Sequence, residues 1–147
     1  MPEVDVEGAR ILGRARRITL VVRAQIEEVF KRHGLDTGEF DVLATLRRNG
    51  PPFMLRPTEL YRSMMVSSGG MTDRLNRLEN AGLIRRVPSE EDRRSLWVAL
   101  TEEGRAVIES AFREDMKVER SLVDGLSAKE RKELIRLLQK LAVHLGA

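Results

Sequence analysis

Asp92-Arg93-Arg94-Ser95-Leu96-Trp97-Val98-Ala99-Leu100-Thr101 decides how this sequence folds. With Leu83-Ile84-Arg85-Arg86-Val87 upstream, it reads as two short strands around a polar tip at 88–94. Ahead of the hairpin stands Ser67-Ser68-Gly69-Gly70-Met71-Thr72-Asp73-Arg74-Leu75-Asn76-Arg77-Leu78-Glu79-Asn80, with Gly82 as terminator. The spacing predicts a helix over 67–80 capped by Ser67. Met71, Leu75 and Leu78 share one face, and Ser68, Thr72 and Asn76 another. A short helix with a polar face, followed by a hairpin with two arginines at its tip, has the shape and chemistry needed to read DNA. The helix fits the major groove, and the hairpin arginines reach phosphates or the minor groove.

Working outward, Ile11, Ala15, Ile18, Val22, Ile26 and Phe30 recur at spacings of three and four, which predicts a long helix over 6–32. Arg10, Arg14, Arg17 and Lys31 occupy its other face, and His33-Gly34 ends it. Asp36 with Glu39 forms a capping box for a second helix carrying Phe40, Leu43 and Leu46. Asn49-Gly50-Pro51-Pro52 breaks the chain, and Pro57 opens a short third helix. Arg56, at the cap position of that helix, has no oxygen to offer. Downstream, Thr101 caps a long helix to about residue 122 containing Val107, Ile108, Ala111, Phe112 and Val118, and Gly125 breaks it. Ser127-Ala128-Lys129-Glu130 is a second capping box, opening a last helix with Leu134, Leu137, Leu138 and Leu141. The expected fold is mainly α with a small β-hairpin wing. It forms one domain over 1–147, with a compact lobe at 36–101 flanked by long helices at 6–32 and 102–146. Those outer helices have wider apolar faces than one chain can cover, which points to a partner chain.

At 147 residues the chain can bury one real core. It has no cysteine, which excludes disulfides, zinc-thiolate sites and thiol redox sensing. Its two histidines, His33 and His144, are far apart in sequence, so no metal and no other cofactor is expected. No nucleophile with its base and no phosphate loop stands out, so an enzyme is not expected. No apolar run approaches the ~20 residues of a membrane span, and Met1-Pro2-Glu3-Val4-Asp5 lacks the apolar stretch of a signal peptide. The expectation is a cytoplasmic protein with no membrane partner. A net charge of +3 favours an anionic partner only mildly. The basic residues are mostly arginine, whose fork fits phosphates and base edges, although a GC-rich genome produces the same bias.

Each motif has a functional and a plain reading. Two glycines inside a helix each lower stability by roughly 1 kcal/mol against alanine, so Gly69 and Gly70 need a reason. Close approach of the backbone to DNA is one. Asn76 and Arg77 can make bidentate contacts with adenine and guanine. The candidate DNA-binding residues are therefore Ser67, Ser68, Gly70, Thr72, Asp73, Asn76 and Arg77 on the helix, with Arg93 and Arg94 on the wing. The plain readings are a surface helix with an indifferent polar face and a solvated charged turn. Trp97 is better suited to covering arginine stems than to touching DNA. Met54, Met64, Met65 and Met71 could line an adaptable pocket, but ordinary core packing accounts for them better.

In order and spacing, the helix, Gly82-Leu83-Ile84-Arg85-Arg86, Asp92-x-Arg94 and Val98-x-Leu100-Thr101 resemble the MarR family of bacterial winged-helix repressors. The resemblance is strong over 35–105 and extends to the outer helices in length and position. It implies a winged helix-turn-helix with long N- and C-terminal dimerisation helices. It also implies that Asp92 pairs to steady the wing while Arg94 enters the minor groove. Phe40-Asp41, Gly50-Pro51-Pro52 and Met71-Thr72-Asp73-Arg74 are similar to the urate-responsive branch of that family. That likeness implies ligand binding by Asp41, Arg74 and Arg86. Two arginines would clamp an anion, and the carboxylate would accept a ligand N–H or pair with arginine when the site is empty. The branch also carries a tryptophan on an extra N-terminal helix, whereas the one tryptophan here is Trp97. Ordinary ion pairs, or phosphate binding by Arg74, would explain the same residues.

The expected function is that of a homodimeric transcriptional regulator, a repressor, bound to double-stranded DNA. Two reading helices would face adjacent major grooves of a palindromic operator. A small anionic aromatic ligand lodged between the dimer helices and the lobe would release it by favouring the non-binding state. The alternative is a winged-helix module that docks protein partners without sequence-specific DNA binding; its docking face would be more apolar.

Overall fold

Local capping chemistry sets most helix starts in the computed structural model, which describes residues 4–64, 70–88 and 96–146. In chain order the elements are α1 (Glu7–Arg32), α2 (Thr37–Arg48), β1 (Met54–Leu55), α3 (Pro57–Ser63), α4 (Met71–Asn80), β2 (Ile84–Pro88), β3 (Leu96–Leu100), α5 (Glu102–Leu122) and α6 (Ala128–Leu145). Asp36 accepts from the Glu39 N–H at 2.7 Å and Glu39 accepts from the Asp36 N–H at 2.9 Å, the reciprocal box expected for α2. Ser127 and Glu130 do the same for α6. Thr101 accepts from the Gly104 N–H at 2.9 Å and donates to the Gly82 carbonyl at 2.7 Å. At α3, Arg56 gives no side-chain cap; instead Glu59 accepts the Arg56 N–H at 2.9 Å, and Pro57 occupies the first helical position.

Two expectations need correction. The helix predicted over 67–80 begins at Met71, and its cap is Gly70 rather than Ser67. Gly70 has φ 78°, a left-handed conformation that glycine adopts without a Cβ clash. It therefore punctuates the helix instead of weakening its interior. The sheet has three strands rather than two. β1 pairs antiparallel with β3 on the side opposite β2, giving the order β1-β3-β2. In the hairpin, Ile84 faces Leu100, Arg86 faces Val98 and Val87 faces Trp97.

The core is centred on α2. Val42, Leu43 and Leu46 are fully buried against Val29 and Phe30 of α1, Leu60 of α3, Leu75 and Leu78 of α4, and Ile84, Val98 and Ile108. Truncating one such leucine to alanine costs about 2–5 kcal/mol. Met71 belongs to this core and Met64 packs on it, as the core-packing reading of the methionines expects. Met65 lies outside the described residues. By contrast, α6 buries none of its residues, and large apolar side chains stand exposed along α1 and α6. Among the described residues, no helix is long and apolar enough to cross a membrane.

Asp115 of α5 is 4% exposed, and its Oδ1 has no hydrogen-bond partner among the described residues. Burial, and then the charge of Glu119, push its carboxyl up to about 6. An acid whose folded pKa lies above the unfolded ~3.9 destabilises the fold when ionised. The penalty is full above pH 6 and fades as pH falls from there toward the unfolded value. Asp115→Asn is thus expected to raise the thermal midpoint by a few degrees at about pH 7.5, with the advantage gone near about pH 4. A variant no more stable than wild type at the higher pH would discard this account.

Candidate nucleic-acid interface

Burial of Met71, Leu75 and Leu78 fixes the rotation of α4. It turns Thr72, Asp73, Asn76 and Arg77 outward, all exposed. Thr72 and Asp73, in the first turn, have no side-chain partner among the described residues. The other two are engaged within the protein. The Arg77 guanidinium donates from Nε to Glu39 and from Nη2 to Asp36, each at 2.8 Å. The Glu39 hydrogen bond holds Arg77 above its ordinary pKa, against some desolvation, and the charges of Glu39 and Asp36 add to it. Asn76 accepts from Arg86 Nη2 at 2.8 Å. Capping accounts for one oxygen each of Asp36 and Glu39, and their second oxygens, turned to Arg77, leave no mark in the sequence pattern.

β2 and β3 form the base of the wing. Its tip, with Asp92, Arg93 and Arg94, lies outside the described residues, as do Ser67 and Ser68. Trp97 is half-buried, and the Arg56 guanidinium lies 5.1 Å from its ring centroid. That cation–π contact agrees with the expectation that Trp97 covers an arginine.

The three candidate ligand residues sit on two flanks of α4. Arg74, one turn before Arg77, lies against the first turn of α2. A Cβ added at Gly38 would come within 2.2 Å of Arg74 Nε, so only glycine leaves room for that guanidinium. Arg74 Nε and Nη1 are buried without a hydrogen-bond partner among the described residues. Asp41 follows Gly38 on the same helix and is half-buried. Arg86 lies on the β2 side, where its backbone N–H donates to Glu79 at 3.1 Å and its Nη1 also bonds Glu79. The structure therefore places Arg74 beside the helix of Asp41 and keeps Arg86 on the opposite flank.

A sequence model described as the MarR family matches residues 33–95. The HTH-type transcriptional regulator PecS of Dickeya dadantii (strain 3937) is 38% identical over 144 residues, covering 98% of this chain and 87% of PecS. The chain belongs to the MarR family of transcriptional regulators. A mutant MarR from E. coli complexed with operator DNA superposes with a TM-score of 0.75 at 26% identity, covering 94% of this chain and 99% of that one. BpsR of Bordetella bronchiseptica, whose DNA binding is regulated by 6-hydroxynicotinic acid, gives a TM-score of 0.76 at 24% identity, covering 97% and 98% of the two chains.

This MarR-family chain also has a half-open cleft of about 460 Å³ between α2 and α5. Ala44, Ile108 and Phe112 floor it, and Arg47, Arg48, Arg113 and Glu109 rim it. Glu109 accepts from Arg47 at 2.7 Å and from Arg105 at 3.1 Å. None of Asp41, Arg74 and Arg86 lines this cleft.

Proposed function

We propose that this MarR-family regulator is a ligand-responsive homodimeric repressor of a palindromic operator. The observation that carries the reading is α4 itself, packed through Met71, Leu75 and Leu78 and presenting a polar, exposed first turn beside a two-stranded wing. Ser67, Ser68, Gly70, Thr72, Asp73 and Asn76 form the reading surface with Arg77 at its edge, Arg93 and Arg94 extend it, and Asp92 steadies the wing. The solved MarR bound to operator DNA supports this use of the fold. The exposed apolar faces of α1, α5 and α6 supply the dimer contact. A DNA partner places the protein in the cytoplasm.

The ligand acts through Arg74, Asp41 and Arg86. Two buried guanidinium nitrogens of Arg74 have no acceptor among the described residues, and an anion would satisfy them. Arg86 acts from the other flank of α4, where a ligand-driven shift of the helix would loosen its bonds to Glu79 and Asn76. The BpsR precedent, an aromatic acid acting on DNA binding, supports the chemical class. The coupling is expected at about 1–3 kcal/mol.

The test is operator binding at fixed salt, with sedimentation to confirm a folded dimer. Arg94→Ala should weaken binding by roughly 1–3 kcal/mol. Urate, xanthine, salicylate and other phenolic acids are then titrated into the complex of wild type and of Arg86→Ala. Unchanged affinity of Arg94→Ala removes the wing from the mechanism. A ligand that binds Arg86→Ala as well as wild type removes the clamp. Absence of any salt-dependent DNA binding leaves the protein-docking module as the better reading.

A further inference from the structure

We infer that Arg77 is a positioning residue rather than a base reader: it ties the reading helix to α2 through the spare oxygens of α2's own capping box. Each acid of that box divides its work. Asp36 Oδ1 caps the Glu39 N–H, while Oδ2 receives Arg77 Nη2. Glu39 Oε2 caps the Asp36 N–H, while Oε1 receives Arg77 Nε. One planar fork therefore spans two carboxylates that are already fixed by a helix start. The pair is more than a surface ion pair at Glu39, which is 8% exposed, so removing Arg77 leaves a buried acceptor unpaired.

Arg74, on the same row, supports the same geometry. Arg74 lies one turn before Arg77 and fits over Gly38, where a Cβ would displace its guanidinium. Residues 74 and 77 thus straddle the first turn of α2, one by close packing and the other by paired hydrogen bonds. Burial of Met71, Leu75 and Leu78 sets the rotation of α4, and the Arg77 fork adds a directional tie to α2 beside that face. The clamp reinforces the angle at which Thr72 and Asp73 are presented, and Arg77 does so without touching nucleic acid.

The inference rests on α4 being the reading helix, so its test has one arm with DNA and one without. In the first arm, operator affinity is measured across a salt series for wild type, Arg77→Ala, Arg77→Lys and Glu39→Gln. Glutamine at this position can still close a capping box, so the start of α2 survives. Arg77→Ala and Glu39→Gln are each expected to lose about tenfold in operator affinity, and the double variant no more than either alone. Arg77→Lys keeps the charge but not the two-pronged fork, and is expected to resemble Arg77→Ala. The slope of log affinity against log salt should stay that of wild type in every variant. A slope reduced by about 0.9 in Arg77→Ala, with Glu39→Gln neutral, would mean that Arg77 neutralises a phosphate and the inference is wrong. Unchanged affinity in Arg77→Ala would overturn it equally. The second arm is a double-mutant cycle for Arg77 and Glu39 in thermal unfolding without DNA. Non-additive losses support the clamp, and strictly additive ones refute it. A wild type that binds no DNA defeats the functional reading, while this second arm still decides whether the clamp exists.

Discussion

Leu138→Arg is expected to give a monomer that no longer holds its operator. Leu138 is 52% exposed on α6, a helix that buries none of its residues in one chain. Leu134, Ile135 and Leu137 are exposed on the same helix, and Ile11, Ile18, Leu20 and Val21 on α1. Water-exposed apolar side chains in such numbers fit an interface better than a surface. A guanidinium set into that contact must lose its hydration without a partner acid, at an effective cost of several kcal/mol. Two copies of the substitution enter a symmetric dimer, so the penalty counts twice. Loss of the second subunit removes the second half-site, whose effective concentration multiplies operator affinity by about 10²–10⁴. The measurements are sedimentation at micromolar concentration and operator binding on the same samples. The residue lies outside the core cluster, so the monomer should keep its helical content, though dimer loss itself lowers the thermal midpoint. A Leu138→Arg protein that stays dimeric, or a wild type that sediments as a monomer, would end this account of the outer helices.

What was legible in the sequence was local. The starts of α2, α5 and α6 follow from side chains that cap backbone groups three residues away, and the structure has them where the pattern placed them. The apolar rows of α2 and α4 likewise announce which faces are buried, whereas on α5 Ile108 and Ala111 are buried but Phe112, expected inside, is 50% exposed because it faces the cleft beside α2. β1 escaped because two residues cannot show an alternation. Its place is set by pairing with β3, Met54 opposite Ala99, across more than forty residues of chain. The start of α4 was misplaced for a related reason. Serine is a strong N-cap by preference, but Gly70 enters the helix from a left-handed conformation that preference tables do not foresee.

The site was legible as a list of residue types and less so as an arrangement. Asn76 and Arg77 look alike as reading residues on a helical wheel. Only the fold shows that Arg77 meets Asp36 and Glu39 and that Asn76 meets Arg86. Glu79 gave no signal at all, because its partner Arg86 lies on a strand whose approach to α4 depends on tertiary packing. Arg74 and Arg86 resembled a single clamp, yet they lie on opposite flanks of one helix. Residues 74 and 77 share one row of that helix and 76 and 79 another, a separation evident only once α2 and β2 are known to lie on those two sides.

Gly104→Ala poses a contest between two effects of opposite sign, and packing is expected to win. Gly104 sits in the first turn of α5, where alanine would gain about 1 kcal/mol of helix propensity. A Cβ there would lie 1.9 Å from the Leu83 carbonyl oxygen, 2.8 Å from its carbon and 3.0 Å from Leu100 Cδ1. The first contact is with backbone, which cannot rotate out of the way. That carbonyl is also pinned, since it accepts the Thr101 N–H at 3.1 Å just before the helix cap. Relief requires α5 to move away from the strand entry by an ångström or more, stretching this bond and the one from Thr101 to Gly82. Overpacking costs typically 1–3 kcal/mol, and each weakened hydrogen bond about 1 kcal/mol more, so the net loss should be about 2 kcal/mol or greater. The thermal midpoint is expected to fall by roughly 5–10 °C. Leu83 leads directly into β2, so the shift also carries into the wing, and operator affinity should fall at temperatures where the protein is still folded. An alanine variant as stable as wild type would show that α5 and the strand entry are not packed as closely as the structure has them.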